Sequence, residues 1–245
     1  MCRAVMRFYW KLEKVFYPKL RFSQYHYYET LSTTIPQNCE WLDLGCGHQM
    51  FASWMTAEER EMANRGWRLV GIDLDWEGLK KNPTVSAKIY GNLEHLPFQS
   101  DSFEIATANM VVEHLANPEA VLREIHRVLR PGGLFIFHTP NVRSVMMRVA
   151  SGMPQSWKTT LAGLLEGRKE ADVFPALYRM NTQAAIRQSA AITGFQVEEI
   201  RLVSTSAVTQ LLGPLAIVEL LYLRLLEARR LKGWRSNMIG LMRKS

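Results

Sequence analysis

The stretch Trp41-Leu42-Asp43-Leu44-Gly45-Cys46-Gly47 constrains the fold of this chain more than any other. An apolar run carrying one acid ends in two glycines spaced by one residue, the pattern of a buried strand that breaks sharply into a loop. Glycine serves where backbone must turn tightly or come close to a ligand. A helix starting behind such a loop presents unpaired N–H groups to a polar ligand. A dinucleotide-binding loop needs Gly-x-Gly-x-x-Gly, but here the chain continues His48-Gln49-Met50 and the third glycine is absent. Asp43, two residues before Gly45, puts a carboxylate at the strand end. A ligand with a cationic ammonium and no pyrophosphate suits this loop better than a dinucleotide.

Beyond that loop, strands and helices alternate. The spacing predicts a strand over 40–44 and a helix near 49–64, with Phe51, Trp54, Met55 and Met62 on its inner face. Arg68 to Asp73 reads as a second buried strand ending in a carboxylate, and a short strand follows near 86–89. Phe103 to Ala108 is the next strand. Asn117-Pro118-Glu119 opens a helix with a capping Asn, Pro at the first helical position and an acid in the first turn. Val121, Leu122, Ile125, Val128 and Leu129 give that helix its buried stripe, Arg130-Pro131-Gly132-Gly133 ends it, and Leu134 to His138 is a further buried strand. A helix near 181–193 and a strand over 195–203 resume the alternation. Such βαβ repetition implies a doubly wound, mostly parallel α/β sheet, here over 35–205, with an insertion at 141–180. An N-terminal helical cover segment fills 1–34, broken at Pro18. Residues 206–245 read as an amphipathic, strongly apolar helix over Leu211–Leu231 followed by a basic tail, with no further strand.

The bulk composition excludes several classes. A chain of 245 residues can bury a full core, and its 47% apolar and 22% charged residues are those of an ordinary globular protein. Three cysteines, Cys2, Cys39 and Cys46, form neither a disulfide framework nor a metal-ligand pattern. With no signal peptide expected, a cytoplasmic protein follows. The net charge of +7 sits at the two ends: Arg3, Arg7, Lys11, Lys14, Lys19 and Arg21 against Glu13, and Arg224, Arg229, Arg230, Lys232, Arg235, Arg243 and Lys244 against Glu227. Interleaved with apolar residues, these segments suit an anionic lipid surface or a phosphorylated substrate. The apolar helix is too short and too interrupted by charge to span a membrane. Peripheral contact through 207–245 at the inner membrane face, or an oligomer contact, fits it better.

In an open α/β sheet, ligands bind beyond the carboxyl ends of the strands where strand order reverses. Asp43, Gly45, Gly47, Asp73, Asn92, Asn109 to His114 and His138 to Asn141 all fall there. An acid at the end of the second strand suits ribose hydroxyls. Leu42-Asp43-Leu44-Gly45-Cys46-Gly47, Gly71-Ile72-Asp73, Leu96-Pro97-Phe98, Ser102-Phe103-Glu104, Glu113-His114-Leu115 and Arg127-Val128-Leu129-Arg130-Pro131-Gly132-Gly133 together resemble the class I S-adenosylmethionine-dependent methyltransferases. The closer likeness is to the branch containing the ubiquinone and menaquinone biosynthesis methyltransferases. The resemblance spans about residues 40–140 and implies a Rossmann-like methyltransferase fold.

On that resemblance, Asp43 and the Gly45-Cys46-Gly47 loop would hold the methionine part of S-adenosylmethionine. Asp73 would bind the ribose hydroxyls with Leu74 against the adenine, Asn92 and Leu93 would meet the adenine edge, and Asn109 would line the reactive end. The chain departs from the family in having Asn92 where an acid is common, and Gln49 where a small residue is common. Transfer from a sulfonium needs mainly in-line placement of a nucleophile; a hydroxyl acceptor gains from a base within reach, and His114 is the candidate catalytic residue. His138 is expected to be buried and hydrogen-bonded, and Cys46 to be merely small. Asp172, Tyr178 and Arg179 belong to the insertion, which is expected to cover the acceptor pocket. The activity implied is O-methylation of a small or lipid-linked, saccharide- or quinone-like acceptor near a membrane. A nucleic-acid-modifying methyltransferase is the alternative, weakened because Asn109-Met110-Val111-Val112 lacks an Asn/Asp-Pro-Pro-aromatic signature. A cofactor-binding scaffold without turnover is a further one.

Overall fold

The computed structural model describes residues 9, 11–63, 68–145, 147, 148, 175–205 and 215–245. Asp172, most of the 141–180 insertion and Leu211 to Pro214 lie outside the described residues. Seven strands, β1 (Glu40–Leu44), β2 (Arg68–Asp73), β3 (Ala87–Tyr90), β4 (Phe103–Asn109), β5 (Leu129–Pro140), β6 (Phe195–Val203) and β7 (Asn237–Lys244), form one sheet in the order β3-β2-β1-β4-β5-β7-β6. The pairs from β3 to β5 are all parallel. This is the doubly wound, mostly parallel α/β sheet expected from the alternation.

The seventh strand was not. Asn237–Lys244, where the sequence reads as a basic tail, is buried over six of its eight residues. Its direction follows from its contacts. Lys244 Nζ donates to the carbonyl of Leu129 at the start of β5, whereas Asn141 N–H, just past the end of β5, donates to the carbonyl of Ser236. Likewise Ser245 Oγ donates to Gly194 O before β6, and Thr205 N–H to Ser236 Oγ after it. β7 therefore runs antiparallel to both neighbours.

Local chemistry sets the helix ends. Asn117 accepts from Ala120 N–H at 3.3 Å and Pro118 stands in the first turn of helix Pro118–Val128. Asp75 caps Trp76–Lys81 by accepting from Gly78 N–H at 3.0 Å. Thr182 caps Gln183–Thr193, which stops at Gly194 in the left-handed conformation, φ 83°. The Arg130–Gly133 turn does not separate helix from strand, since helix gives way to β5 at Leu129. The turn is instead a bulge inside the strand, where the β4–β5 register shifts between Phe103 and Ile105. The helix expected near 49–64 is only Thr56–Ala63. Before it, Met50 is tied into the loop, its N–H donating to Glu59 Oε1 at 3.0 Å and its carbonyl accepting from Asn109 Nδ2 at 2.8 Å. Phe51, Met55 and Met62 are buried as expected, whereas Trp54 is 60% exposed.

The chain divides into two compact units. One comprises Gln24–Pro140, Ala176–Arg201 and Met238–Ser245. It takes in nearly all of helix Ser23–Thr34, which the sequence reading had grouped with the N-terminal cover, because Tyr27 and Leu31 bury one face of that helix completely. The other comprises Met1–Ser23, Asn141–Pro175 and Leu202–Asn237. Its core gathers Tyr9, Tyr17, Leu220, Leu223 and Leu226, with helix Leu215–Leu225 at its centre. Among the described residues no helix is long and apolar enough to cross a membrane.

Candidate functional site

Strand order reverses between β1 and β4, and a hydrogen bond crosses that junction. Thr107 Oγ1 donates to Asp43 Oδ1 at 2.6 Å, and Trp41 Nε1 donates to Thr107 Oγ1 at 2.7 Å. Asp43 is 3% exposed, and burial lifts its pKa to about 7, with the charges of Asp73 and Glu59 adding to the rise and the Thr107 hydroxyl opposing it. A buried carboxyl acted on by two acids and one hydroxyl is a seat for a cation, and an ammonium brought beside it would restore its charge.

The loop after β1 is held from beneath. Gly45 N–H donates to Ile72 O at 2.8 Å, and Gly47 N–H to Asp73 Oδ2 at 2.7 Å. Both glycines are left-handed, with φ 63° and 48°, and a Cβ on Gly45 would stand 2.5 Å from Val111 Cγ2. Neither position accepts a side chain without strain. Cys46 turns its sulfur toward Gly71, where an added Cβ would approach it to 2.6 Å. Burial raises the thiol pKa further above its ordinary range, so Cys46 is a small packing residue. Asn82, 1% exposed, fixes the loop from a direction the sequence did not signal: its Nδ2 donates to Cys46 O at 3.1 Å and Gly47 O at 3.2 Å.

Asp73 stands at the tip of β2, where it also accepts from Asp75 N–H at 2.7 Å. Leu74 and Trp76 beyond it are 47% and 45% exposed, and Trp76 meets Tyr90 edge to face. After β3, Asn92 is exposed and Leu93 half-buried. Asn92 Oδ1 accepts from Glu94 N–H at 3.0 Å, a turn contact that orients the carboxamide.

At the end of β4, Asn109 is saturated. Its Nδ2 donates to Gln24 Oε1 at 2.9 Å and Met50 O at 2.8 Å, while its Oδ1 accepts from Gln24 Nε2 at 3.2 Å and His138 Nδ1 at 2.9 Å. An amide has no capacity beyond these. The side chain expected to line a ligand thus ties together helix Ser23–Thr34, the glycine loop and β5. Because Asn109 Oδ1 can only accept, His138 Nδ1 carries the hydrogen. Burial and the His26 charge hold the His138 pKa near 3, so its ring, stacked on Tyr27, is neutral.

On the other side of β5, Glu113 is 4% exposed and its Oε2 accepts from Thr139 Oγ1 at 2.9 Å. Asn181 Nδ2 donates to Thr139 Oγ1 at 2.7 Å and to Pro140 O at 3.0 Å. The Glu113 carbonyl accepts from both Leu177 and Tyr178 N–H. His114 Nε2 lies 4.0 Å from Glu113 Oε1, with the imidazole 31% exposed. The accessible ring thus has a buried carboxylate as a neighbour, at a separation longer than a hydrogen bond. Among the described residues no three His, Cys, Asp or Glu side chains gather to hold a metal ion.

Of the residues chosen from sequence, Asp43, Gly45, Cys46, Gly47, Asp73 and Leu74 come together at the tips of β1 and β2. Asn92 and Leu93 follow β3, and Asn109 and His114 flank the exit of β4. Thr107, Asn82, Glu59 and Gln24 were missed. Thr107 alone left a trace, as a hydroxyl inside the otherwise apolar run of β4.

Known proteins match this arrangement. Residues 42–137 match the family model described as methyltransferase domain. A malonyl-[acyl-carrier protein] O-methyltransferase from Hamiltonella defensa is 30% identical over 120 residues, 48% of this chain and 42% of the relative. A demethylmenaquinone methyltransferase from Staphylococcus epidermidis is 30% identical over 101 residues, 39% of this chain and 40% of the relative. The chain thus spans about two fifths of the length of these curated relatives. Among solved structures, an S-adenosylmethionine-dependent methyltransferase from Methanosarcina mazei superposes with a TM-score of 0.59 at 16% identity, covering 87% of this chain and 96% of that one. Its likeness is one of fold. Residues 42–137 thus match a methyltransferase domain, and the sheet order with its glycine loop is the fold shared with the solved S-adenosylmethionine-dependent methyltransferase.

Proposed function

We propose that this protein is an S-adenosylmethionine-dependent methyltransferase acting on an oxygen of a small or lipid-linked acceptor. The observation that carries the reading is the pair of carboxylates, Asp43 and Asp73, at the tips of adjacent strands on either side of a strained glycine loop. The buried, cation-seeking Asp43 and the loop backbone suit the methionine portion of the cofactor. Asp73, after accepting from Gly47 and Asp75, keeps lone pairs for the two ribose hydroxyls. Leu74 supplies an apolar wall for the adenine, and Asn92 with the Leu93 backbone its edge. Asn109 acts by position, through Gln24, Met50 and His138, and touches the cofactor at most through its backbone.

When bound there, S-adenosylmethionine would supply an electrophilic methyl for the acceptor oxygen. His114 takes the acceptor's hydroxyl proton, with the buried Glu113 carboxylate, fixed by Thr139, as the nearby acid. Tyr178 and Arg179, carried over this end of the site on the Glu113 carbonyl, meet the acceptor. The likeness to a malonyl-[acyl-carrier protein] O-methyltransferase supports an oxygen acceptor on a larger carrier. The likeness to a demethylmenaquinone methyltransferase supports a lipid-soluble acceptor.

Calorimetry with S-adenosylhomocysteine tests the cofactor site. The wild-type chain should bind it, and Asp73→Ala should weaken binding about 10- to 100-fold, the loss of one or two hydrogen bonds to a charged group. Undiminished binding would remove Asp73 from the site. Incubation of the protein with methyl-labelled cofactor and a membrane extract should yield a labelled, base-stable ether or an ester. Label found only on nucleic acid would overturn the acceptor class.

A further inference from the structure

We infer that helix Leu215–Leu225 and the turn behind it form a docking surface for an anionic lipid bilayer. The inference deepens the reading of a lipid-linked acceptor by naming where the protein would meet it. On one side the helix is packed: Leu220, Leu223 and Leu226 are almost fully buried with Tyr9 and Tyr17. On the other, Val218, Leu221 and Leu225 are 62, 49 and 59% exposed. Their three- and four-residue spacing places them in one stripe along the helix. A helix that is apolar all round is normally buried all round; this one is covered on a single side.

The charge around the stripe says what the covering partner is. Arg224, Arg229, Arg230 and Lys232 are all exposed. The nearby acids do not offset them: Glu219 is buried, and Glu227 is engaged by the Tyr17 hydroxyl and by Arg235 Nη2. Trp234, 44% exposed, closes the same stretch with a ring of the kind that favours a headgroup boundary. An apolar stripe bordered by cations and aromatic at one end is the composition of an in-plane membrane contact. A second copy docked face to face on the stripe would set these four cations against their equivalents, whereas phosphate-rich headgroups neutralise them. No described helix crosses a bilayer, so the contact is peripheral.

Flotation of the full chain with phosphatidylcholine vesicles, with and without phosphatidylserine, tests this. The protein should rise with the anionic vesicles, remain behind with the neutral ones, and be released by salt. Removing each cation in the series R224Q, R229Q, R230Q and K232Q should weaken partitioning about fivefold. The pair Leu221→Ser and Leu225→Ser should abolish flotation. Wild-type protein that fails to float, floats equally on neutral vesicles, or floats undiminished after both sets of substitutions overturns the proposal. So does a stripe-dependent dimer in light scattering without flotation, which would assign the surface to a second copy. The charge series alters only exposed side chains and keeps the test decisive should the serine pair misfold. S-adenosylhomocysteine binding, measured in every variant, reports separately on the methyltransferase reading.

Discussion

The two sides of the sheet at the carboxyl ends of β4 and β5 are finished to different degrees. On one, Asn109 spends every hydrogen-bonding position on its own chain, and His138 is buried, neutral and stacked. On the other, Thr139 and Asn181 support a buried Glu113, yet Asn181 Oδ1 is buried without a partner. On that side Tyr178 holds left-handed backbone at φ 53°, while Met110, at φ 58°, borders both sides through its bond to the His138 carbonyl. The first side spends its amide groups in full, although the buried Tyr27 hydroxyl over His138 has no partner. The second keeps an unmet acceptor and local strain, the features that persist where a protein must receive something else. In a transferase, that difference would separate the side that fixes the donor from the side that admits the acceptor.

The comparison can be broken most decisively at His114. If the second side performs the chemistry, His114→Gln should lower kcat by roughly 100-fold or more while leaving S-adenosylhomocysteine affinity unchanged. A fall in affinity with kcat intact would move His114 to the donor side. Next comes the loop. Gly45→Ala must adopt a left-handed conformation and press on Val111, so it should destabilise the protein by about 2–5 kcal/mol in denaturant unfolding. A smaller loss would mean the loop is softer than its hydrogen bonds imply. The sharpest test of unequal completion pairs two amides. Asn109→Leu strands Gln24, the Met50 carbonyl and the His138 N–H, and should cost about 3 kcal/mol. Asn181→Leu removes its own unpaired oxygen along with two donated bonds, and should cost only about 1 kcal/mol. Equal losses would erase the distinction.

A further test concerns pH. Asp43 is raised from 3.8 to about 7 in the folded chain, so between these values the folded state holds the proton more tightly than the unfolded one. Its contribution to stability is therefore complete below pH 4 and declines as pH rises to about 7, by no more than about 1.4 kcal/mol per pH unit. Asp43→Asn should flatten that part of a stability profile. An ammonium-bearing ligand should also expel the proton, seen as a buffer-dependent binding enthalpy near pH 6.5; identical enthalpies in buffers of different ionisation heat would refute the coupling.

What the sequence revealed and what it hid divide along physical lines. Asp43, the two glycines and Asp73 were legible because a strand end and the turn after it are local events, written in adjacent residues. Asn82, Gln24 and Glu59 were not: Asn82 reaches the loop and Gln24 reaches Asn109 across long separations in sequence, Glu59 joins Met50 to Thr84, and each resembles any surface polar residue until its partner is known. β7 was hidden by its composition. Met238, Ile239, Leu241 and Met242 are interrupted by Gly240 and followed by Arg243 and Lys244, which mimic a solvated tail. The glycine is there because the Phe137 ring occupies the space of a Cβ. The two cations find the Gly132 carbonyl with Glu198, and Asp101 with the Leu129 carbonyl. Helix Ser23–Thr34 was misgrouped for a similar reason: its aromatic residues resemble those of the preceding segment, and only burial separates them.

The placement of β7 sets the order in which the sheet can close. Although β7 is made after both of its neighbours, it lies between them, so until Asn237–Lys244 leave the ribosome β5 and β6 each offer a bare row of amides and carbonyls to any passing strand. A nascent chain of this design is most exposed to mispairing in the interval between residues 203 and 237, just when most of its core has already been synthesised.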